Sequence, residues 1–141
     1  MRILLTLFLL FVFLRPVLSE SNQKKGQNIC KAVERGEFGG ANIEGECAQI
    51  KLDQLNNQMN GIYNKALIEL PDTAEIEAGQ GQKSNLIESQ NTWLKFRESD
   101  CSLQAELTGA NSTWKSTHYI NCEIAMTQKR IEQLNQMFPQ K

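Results

Sequence analysis

The chain has 141 residues, 40% of them hydrophobic and 22% charged, with a formal net charge of −1 and four cysteines, which is material for one modest domain. The apolar content is front-loaded, because Leu4, Leu5, Leu7, Phe8, Leu9, Leu10, Phe11, Val12, Phe13 and Leu14 follow Met1 and Arg2 and end before Pro16. That run is shorter than the roughly 20 apolar residues a bilayer crossing needs, and no later stretch is apolar enough, so membrane insertion is excluded.

A short basic start, an apolar run and the tolerated residues Val17, Leu18 and Ser19 form the pattern of a signal peptide over residues 1–19, with cleavage after Ser19. The first cysteine, Cys30, lies too far from that point to be a lipid-anchored residue. Cleavage removes Arg2 and Arg15 but no carboxylate, so residues 20–141 carry two fewer positive charges and a net −3. The remaining basic residues are scattered among carboxylates, which excludes the basic stripe of a nucleic-acid binder. Residues 20–141 are expected to form a single periplasmic or secreted domain.

Cys30, Cys47, Cys101 and Cys122 all survive cleavage, and an even count in an exported chain indicates two disulfides. No C-x-x-C pair exists, which argues against a zinc site or a redox motif. No metal or other cofactor is expected.

Residues 20–28 are polar, and Ile29 to Arg35 can form one or two helical turns carrying Cys30. The stretch Gly36 to Gly45, with four glycines, is expected to be a loop. From about Glu46 to Leu70, Leu52, Leu55, Met59, Ile62, Ala66 and Ile68 or Leu70 recur at helical spacing. Pro71 stops this helix, Asp72 to Glu75 has capping-box spacing, and residues 71–81 form a connection. A second helix is expected over about Lys83 to Leu107, with Leu86, Gln90, Trp93, Leu94, Arg97, Cys101 and Ala105 along one face. Thr108 to Ser112 ends it, Gly109 suiting the left-handed position after a helix. A third helix is expected from about Thr113 to Met137, where Ile120, Ile124, Thr127, Ile131, Leu134 and Phe138 alternate steps of four and three. That row could equally serve the core or a dimer seam; the oligomeric state is left open.

Three long helices with short connections, plus a short N-terminal helix, predict an all-α, disulfide-stapled up-down bundle. In that topology Cys47, Cys101 and Cys122 fall at one end, within reach of Cys30. At about 1.5 Å per residue, Cys101 lies roughly 9 Å and Cys122 roughly 13 Å below the second hairpin's turn. The preferred pairs are therefore Cys101 with Cys122 and Cys30 with Cys47, with crossed pairings still open. Each closes a loop of about 20 residues and stabilises by roughly 3 kcal/mol if loop entropy dominates.

A catalytic site is not apparent. The single histidine, His118, has no nucleophile pattern near it, and there is no G-x-S-x-G, phosphate loop or H-E-x-x-H. The carboxylate pairs Glu75/Glu77 and Glu98/Asp100 are better explained as solvated faces than as acid–base pairs. The densest constellation is Gln90, Trp93, Leu94, Phe96, Arg97, Glu98, Asp100 and Cys101, in which Gln90, Trp93, Arg97 and Cys101 share a helix face. The simplest reading is architectural: Trp93 fills the core, and Arg97 lays its stem over it and pairs with a neighbouring helix. Arg130 invites the same reading.

The order Cys47, Leu55-Asn56, Asn60, Tyr63, then Gln90-x-x-Trp93-x-x-Phe96-Arg97-x-x-Asp100-Cys101, then Cys122, Thr127, Arg130 and Leu134, resembles the LprI-like lysozyme inhibitor family. The likeness runs from about Cys30 to Leu134. It implies a small disulfide-linked helical domain, exported by bacteria, some of whose members inhibit lysozyme. The matched positions Asn56, Tyr63, Gln90, Trp93, Phe96, Arg97, Asp100, Thr127 and Arg130 are those a scaffold needs.

The resemblance thus implies a protein partner, lysozyme or another peptidoglycan hydrolase, and an inhibitor rather than an enzyme. An animal-type lysozyme is cationic with a carboxylate-lined cleft, which an acidic protein with a hydrogen-bonding or basic loop would complement. The hairpin loop Thr108, Gly109, Asn111 and Ser112, with Lys115, is the candidate contact, and the connection Asp72 to Lys83 a second one, because loops at bundle ends can enter a cleft. The alternative is a periplasmic structural or protein-interaction module without lysozyme inhibition. A carrier of small apolar ligands ranks below both, because the helices are narrowly amphipathic.

Overall fold

The computed structural model describes residues 26–37, 39–70 and 81–139. The expected cleavage site after Ser19, the polar lead over residues 20–25, the capping box Asp72 to Glu75 and most of the connection 71–81 lie outside these residues. The described residues form four helices and no strand: α1 over residues 26–34, α2 Ala41–Glu69, α3 Gln82–Leu107 and α4 Ser112–Met137. The chain divides into two units, Met1–Cys47 and Ala48–Lys141.

In the first unit α1 ends where Gly36 adopts φ +73°. The Gly36 N–H donates to Val33 O at 2.9 Å and the Glu37 N–H to Ala32 O at 3.1 Å, the paired bonds of a Schellman motif, which satisfy carbonyls the helix end would otherwise orphan. The Cys30–Cys47 disulfide, with Cα atoms 5.3 Å apart, ties α1 to the first turns of α2.

The glycine-rich stretch corrects the sequence reading: it is not a loop as far as Gly45, since α2 already begins at Ala41. Gly40, at φ +152°, provides a backbone geometry that other residues rarely adopt, and its carbonyl accepts from the Glu44 N–H at 2.9 Å. Glu44 adds a negative charge in the first turn, where the helix dipole favours it. Gly45 inside the helix costs about 1 kcal/mol relative to Ala, which a long helix tied down by a disulfide tolerates.

In the second unit α2, α3 and α4 pack as an up-down bundle around two apolar clusters. One holds Ala48, Leu52 and Ile124, flanked by Leu55 and Ile120. The other holds Met59, Ala66, Leu86, Ile131 and Leu134, flanked by Tyr63, Trp93, Leu94 and Phe138 among others. Ala48 and Leu52 share a cluster with Ile124, and further along the chain Met59 and Ala66 share one with Ile131 and Leu134, so α2 and α4 run parallel, with α3 antiparallel to both. Of the two alternatives at the end of α2, Leu70 packs on the core, while Ile68 is 83% exposed. The row from Ile120 to Phe138 is used inside the chain, with Ile124, Thr127, Ile131 and Leu134 all buried; it is not an exposed dimer seam.

Among the described residues the α3–α4 hairpin is the most extensive helix pairing. Thr108 Oγ1 donates to Ala105 O at 2.7 Å, Gly109 takes φ +64°, and Asn111 Oδ1 accepts from the Trp114 N–H at 3.2 Å as the N-cap of α4. Below this turn Cys101, fully buried, joins Cys122 with Cα atoms 5.5 Å apart.

Candidate functional site

Between the two apolar clusters lies a polar seam that joins all three long helices, built around two arginines. Arg97, from α3, sits on the face that begins at Gln90 and Trp93. Its Nη1 donates to Asn56 Oδ1 of α2 at 2.9 Å and to Thr127 Oγ1 of α4 at 2.7 Å. Its Nε lies 3.2 Å from Glu123 Oε1, an ion pair whose side chains are only 11% and 10% exposed. The pair is electrostatic rather than an aligned hydrogen bond, since the Arg97 Nε–H finds no acceptor in good geometry. Thr127, wholly buried, donates its own hydroxyl to the Glu123 main-chain carbonyl at 2.7 Å, so Glu123, Thr127 and Arg97 form one connected unit.

One to two turns further along the bundle, Arg130 repeats the arrangement with neutral partners. Its Nε donates to Gln90 Oε1 at 3.0 Å, its Nη2 to Ser89 Oγ at 3.0 Å and its Nη1, more distantly, to Gln133 Oε1 at 3.5 Å. Gln90 in turn reaches Met59 Sδ of α2 at 3.5 Å. The Trp93 ring serves both arginines, with Arg97 Cζ 5.2 Å and Arg130 Cζ 5.6 Å from its centroid, inside the range of cation–π attraction. Burial holds the Arg130 guanidinium below its usual pKa, because removing a charge from water disfavours it. Burial also raises the Tyr119 phenol, helped by the Glu123 carboxylate, its hydrogen bond to Glu123, and Glu98, against a smaller opposing effect of Arg97.

Of the residues singled out in the sequence, Asn56, Gln90, Trp93, Arg97, Thr127 and Arg130 come together in this seam. Trp93 is partly buried and packs on the larger cluster. Tyr63 packs on that cluster as well. Asp100 stands apart, accepting from Gln104 Nε2 at 2.8 Å on the surface of α3, and Phe96 is 56% exposed. Glu123 escaped the sequence reading. Its signal was its place beside Ile124 and one turn before Thr127, a carboxylate on a face otherwise turned to the core.

The hairpin end is a different surface. Thr108, Gly109, Asn111 and Ser112 are exposed, and Lys115 Nζ pairs with Glu106 Oε2 at 2.8 Å. On the flanking ends of α3 and α4, Leu103 and Leu107 are 57% and 77% exposed and Trp114 is 40% exposed. His118 is exposed on α4. Among the described residues no group of three or more histidine, cysteine or acidic side chains could hold a metal ion, and no helix is long and apolar enough to cross a membrane.

The family model described as "Lysozyme inhibitor LprI" matches residues 40–134, which takes in nearly all of α2, α3 and α4. The chain belongs to the LprI lysozyme inhibitor family. In this LprI chain the match spans both arginines, Trp93 and the hairpin end, so the seam and the exposed turn both lie within the family domain. No match to the chain is found among curated proteins or among solved structures.

Proposed function

We propose that this protein is exported, loses residues 1–19 and acts in the periplasm or outside the cell. There, residues 20–141 bind lysozyme or a related cell-wall hydrolase and inhibit it, without enzymatic activity of their own. The observation that carries this reading is the LprI family match over residues 40–134. The two disulfides suit an oxidising compartment, and the apolar run after Arg2 suits export.

The hairpin end is the contact this reading favours. Thr108, Gly109, Asn111 and Ser112 present a narrow turn, and Leu103, Leu107 and Trp114 supply the partly desolvated apolar area from which binding energy usually comes. The Lys115–Glu106 pair is exposed and worth no more than about 1 kcal/mol, so the ammonium can turn to a carboxylate of a partner's cleft at little cost.

The test is lysis of a cell-wall suspension by lysozyme, followed by turbidity with and without the purified, disulfide-intact protein. Slowed lysis that is relieved by Leu107→Ser and Trp114→Ala supports both the function and the contact. Unchanged lysis with the wild-type protein refutes the inhibitor reading. Inhibition that survives both substitutions moves the contact elsewhere.

A further inference from the structure

Arg130 is 7% exposed, yet its hydrogen-bond partners Gln90, Ser89 and Gln133 are all neutral, and no carboxylate among the described residues pairs with it. This is unlike Arg97, whose charge is met by Glu123. A buried guanidinium without a counter-charge carries a desolvation penalty that hydrogen bonds to neutral groups offset only in part.

Arg130 also lines a shallow groove of about 480 Å³ on the outer side of α3 and α4, together with Ser89, Thr92, Trp93 and Phe96, with Glu88 among its lining residues. The wall is mostly apolar, and Phe96 is the large side chain there that the seam does not use. Asn111 and Arg130 are separated by about 28 Å along α4 at 1.5 Å per residue, so the groove is distinct from the hairpin end.

We propose that this groove is a binding site for a monocarboxylate carried on an aromatic or apolar body, with Arg130 receiving the carboxylate and Phe96 and Trp93 the body. The guanidinium donates to a carboxylate in a charge-assisted geometry, and Ser89 and Thr92 offer further hydroxyl donors at the rim. Glu88, also in the lining, opposes every anion, and it opposes the larger charge of a phosphate more than the single charge of a carboxylate. The apolar wall excludes small, fully hydrated anions in the same way.

The experiment is a titration of the full, disulfide-intact chain, followed by the NMR signals of the Trp93 indole and the Ser89 and Thr92 amides. The probes are 3-phenylpropionate, N-acetylphenylalanine, N-acetylphenylalanine amide and inorganic phosphate. Saturable shifts with either acid, and none with the amide or phosphate, are expected. Tighter binding of 3-phenylpropionate identifies a free acid as the ligand type, and tighter binding of N-acetylphenylalanine a peptide end. Phe96→Ala, at an exposed position outside the seam, is expected to weaken binding about tenfold. Arg130→Gln is expected to abolish it where that variant folds, and Phe96→Ala decides the matter where it does not. Absence of saturation by both acids, equal shifts with the amide, or unchanged binding by Phe96→Ala would overturn the proposal.

Discussion

Arg97 and Glu123 meet across the α3–α4 interface at 3.2 Å with both side chains about nine-tenths buried, and this contact sits where helix α2 also reports, through Asn56. Such a pair is weak evidence for stability as a whole, because desolvating two charges offsets much of their attraction, but removing one partner leaves the other stranded. Glu123→Gln is therefore expected to cost about 3 kcal/mol in urea unfolding. The double replacement Arg97→Met with Glu123→Leu should cost less than Glu123→Gln alone. A double variant less stable than the single one would show that the attraction, together with the Arg97 bonds to Asn56 and Thr127, outweighs the desolvation.

The hairpin turn allows a cleaner measurement, since its two special residues act through different physics. Asn111→Ala removes the side chain that accepts from the Trp114 N–H and should lower stability by about 1 kcal/mol. A Cβ on Gly109 would meet nothing within 4 Å, so Gly109→Ala tests conformation alone: φ +64° should cost about 1 kcal/mol. Thermal unfolding of the two single variants and the double checks both figures. A neutral Gly109→Ala would mean that the turn relaxes out of the left-handed region.

These two sites mark where the sequence was readable and where it was not. Steps of three and four among apolar residues located the long helices, and Gly109 and Pro139 located two of their ends, because helix period and stop signals are local. The start of α2 was hidden: four glycines read as a loop, whereas Gly40 in fact opens the helix and the disulfide holds its first turns. Gln90, Trp93 and Arg97 were visible as one face because they share a helix. Glu123 was not, because its pairing depends on the register of α3 against α4. That register is set by Cys101 and Cys122, which bring Arg97, one turn before Cys101, alongside the turn of α4 that carries Glu123 and Thr127. Phe96, which the family pattern put among scaffold positions, stands largely in solvent, and nothing local in the sequence distinguishes it from a core aromatic.

The Cys101–Cys122 link should be the more telling disulfide to remove. It spans 21 residues, and loop entropy alone gives roughly 3 kcal/mol for such a closure. Cys101 is also fully buried, so a Cys101→Ala, Cys122→Ala variant loses packing in addition. The variant is expected to unfold at clearly lower urea and, while folded, to keep its helical circular dichroism. A change of less than about 1 kcal/mol would mean that the unfolded chain remains compact around the hairpin even without the link.

Tyr119 reports on the seam through pH. Its phenol is raised above the ordinary value of 10.0, first by burial and then by the Glu123 carboxylate. The folded protein therefore holds this proton to higher pH than the unfolded chain does. The stability so conferred is complete below about pH 10 and is lost as the pH climbs through the folded-state pKa. Ultraviolet difference titration should show a phenolate step above pH 10 that disappears in Tyr119→Phe. Glu98→Gln, at an exposed position, should move that step slightly downward. Glu123→Gln should move it further without returning it to 10, because burial, the largest cause, remains. A step that does not move in Glu123→Gln would separate Tyr119 from the Arg97–Glu123 pair and leave desolvation and Glu98 to account for its shift.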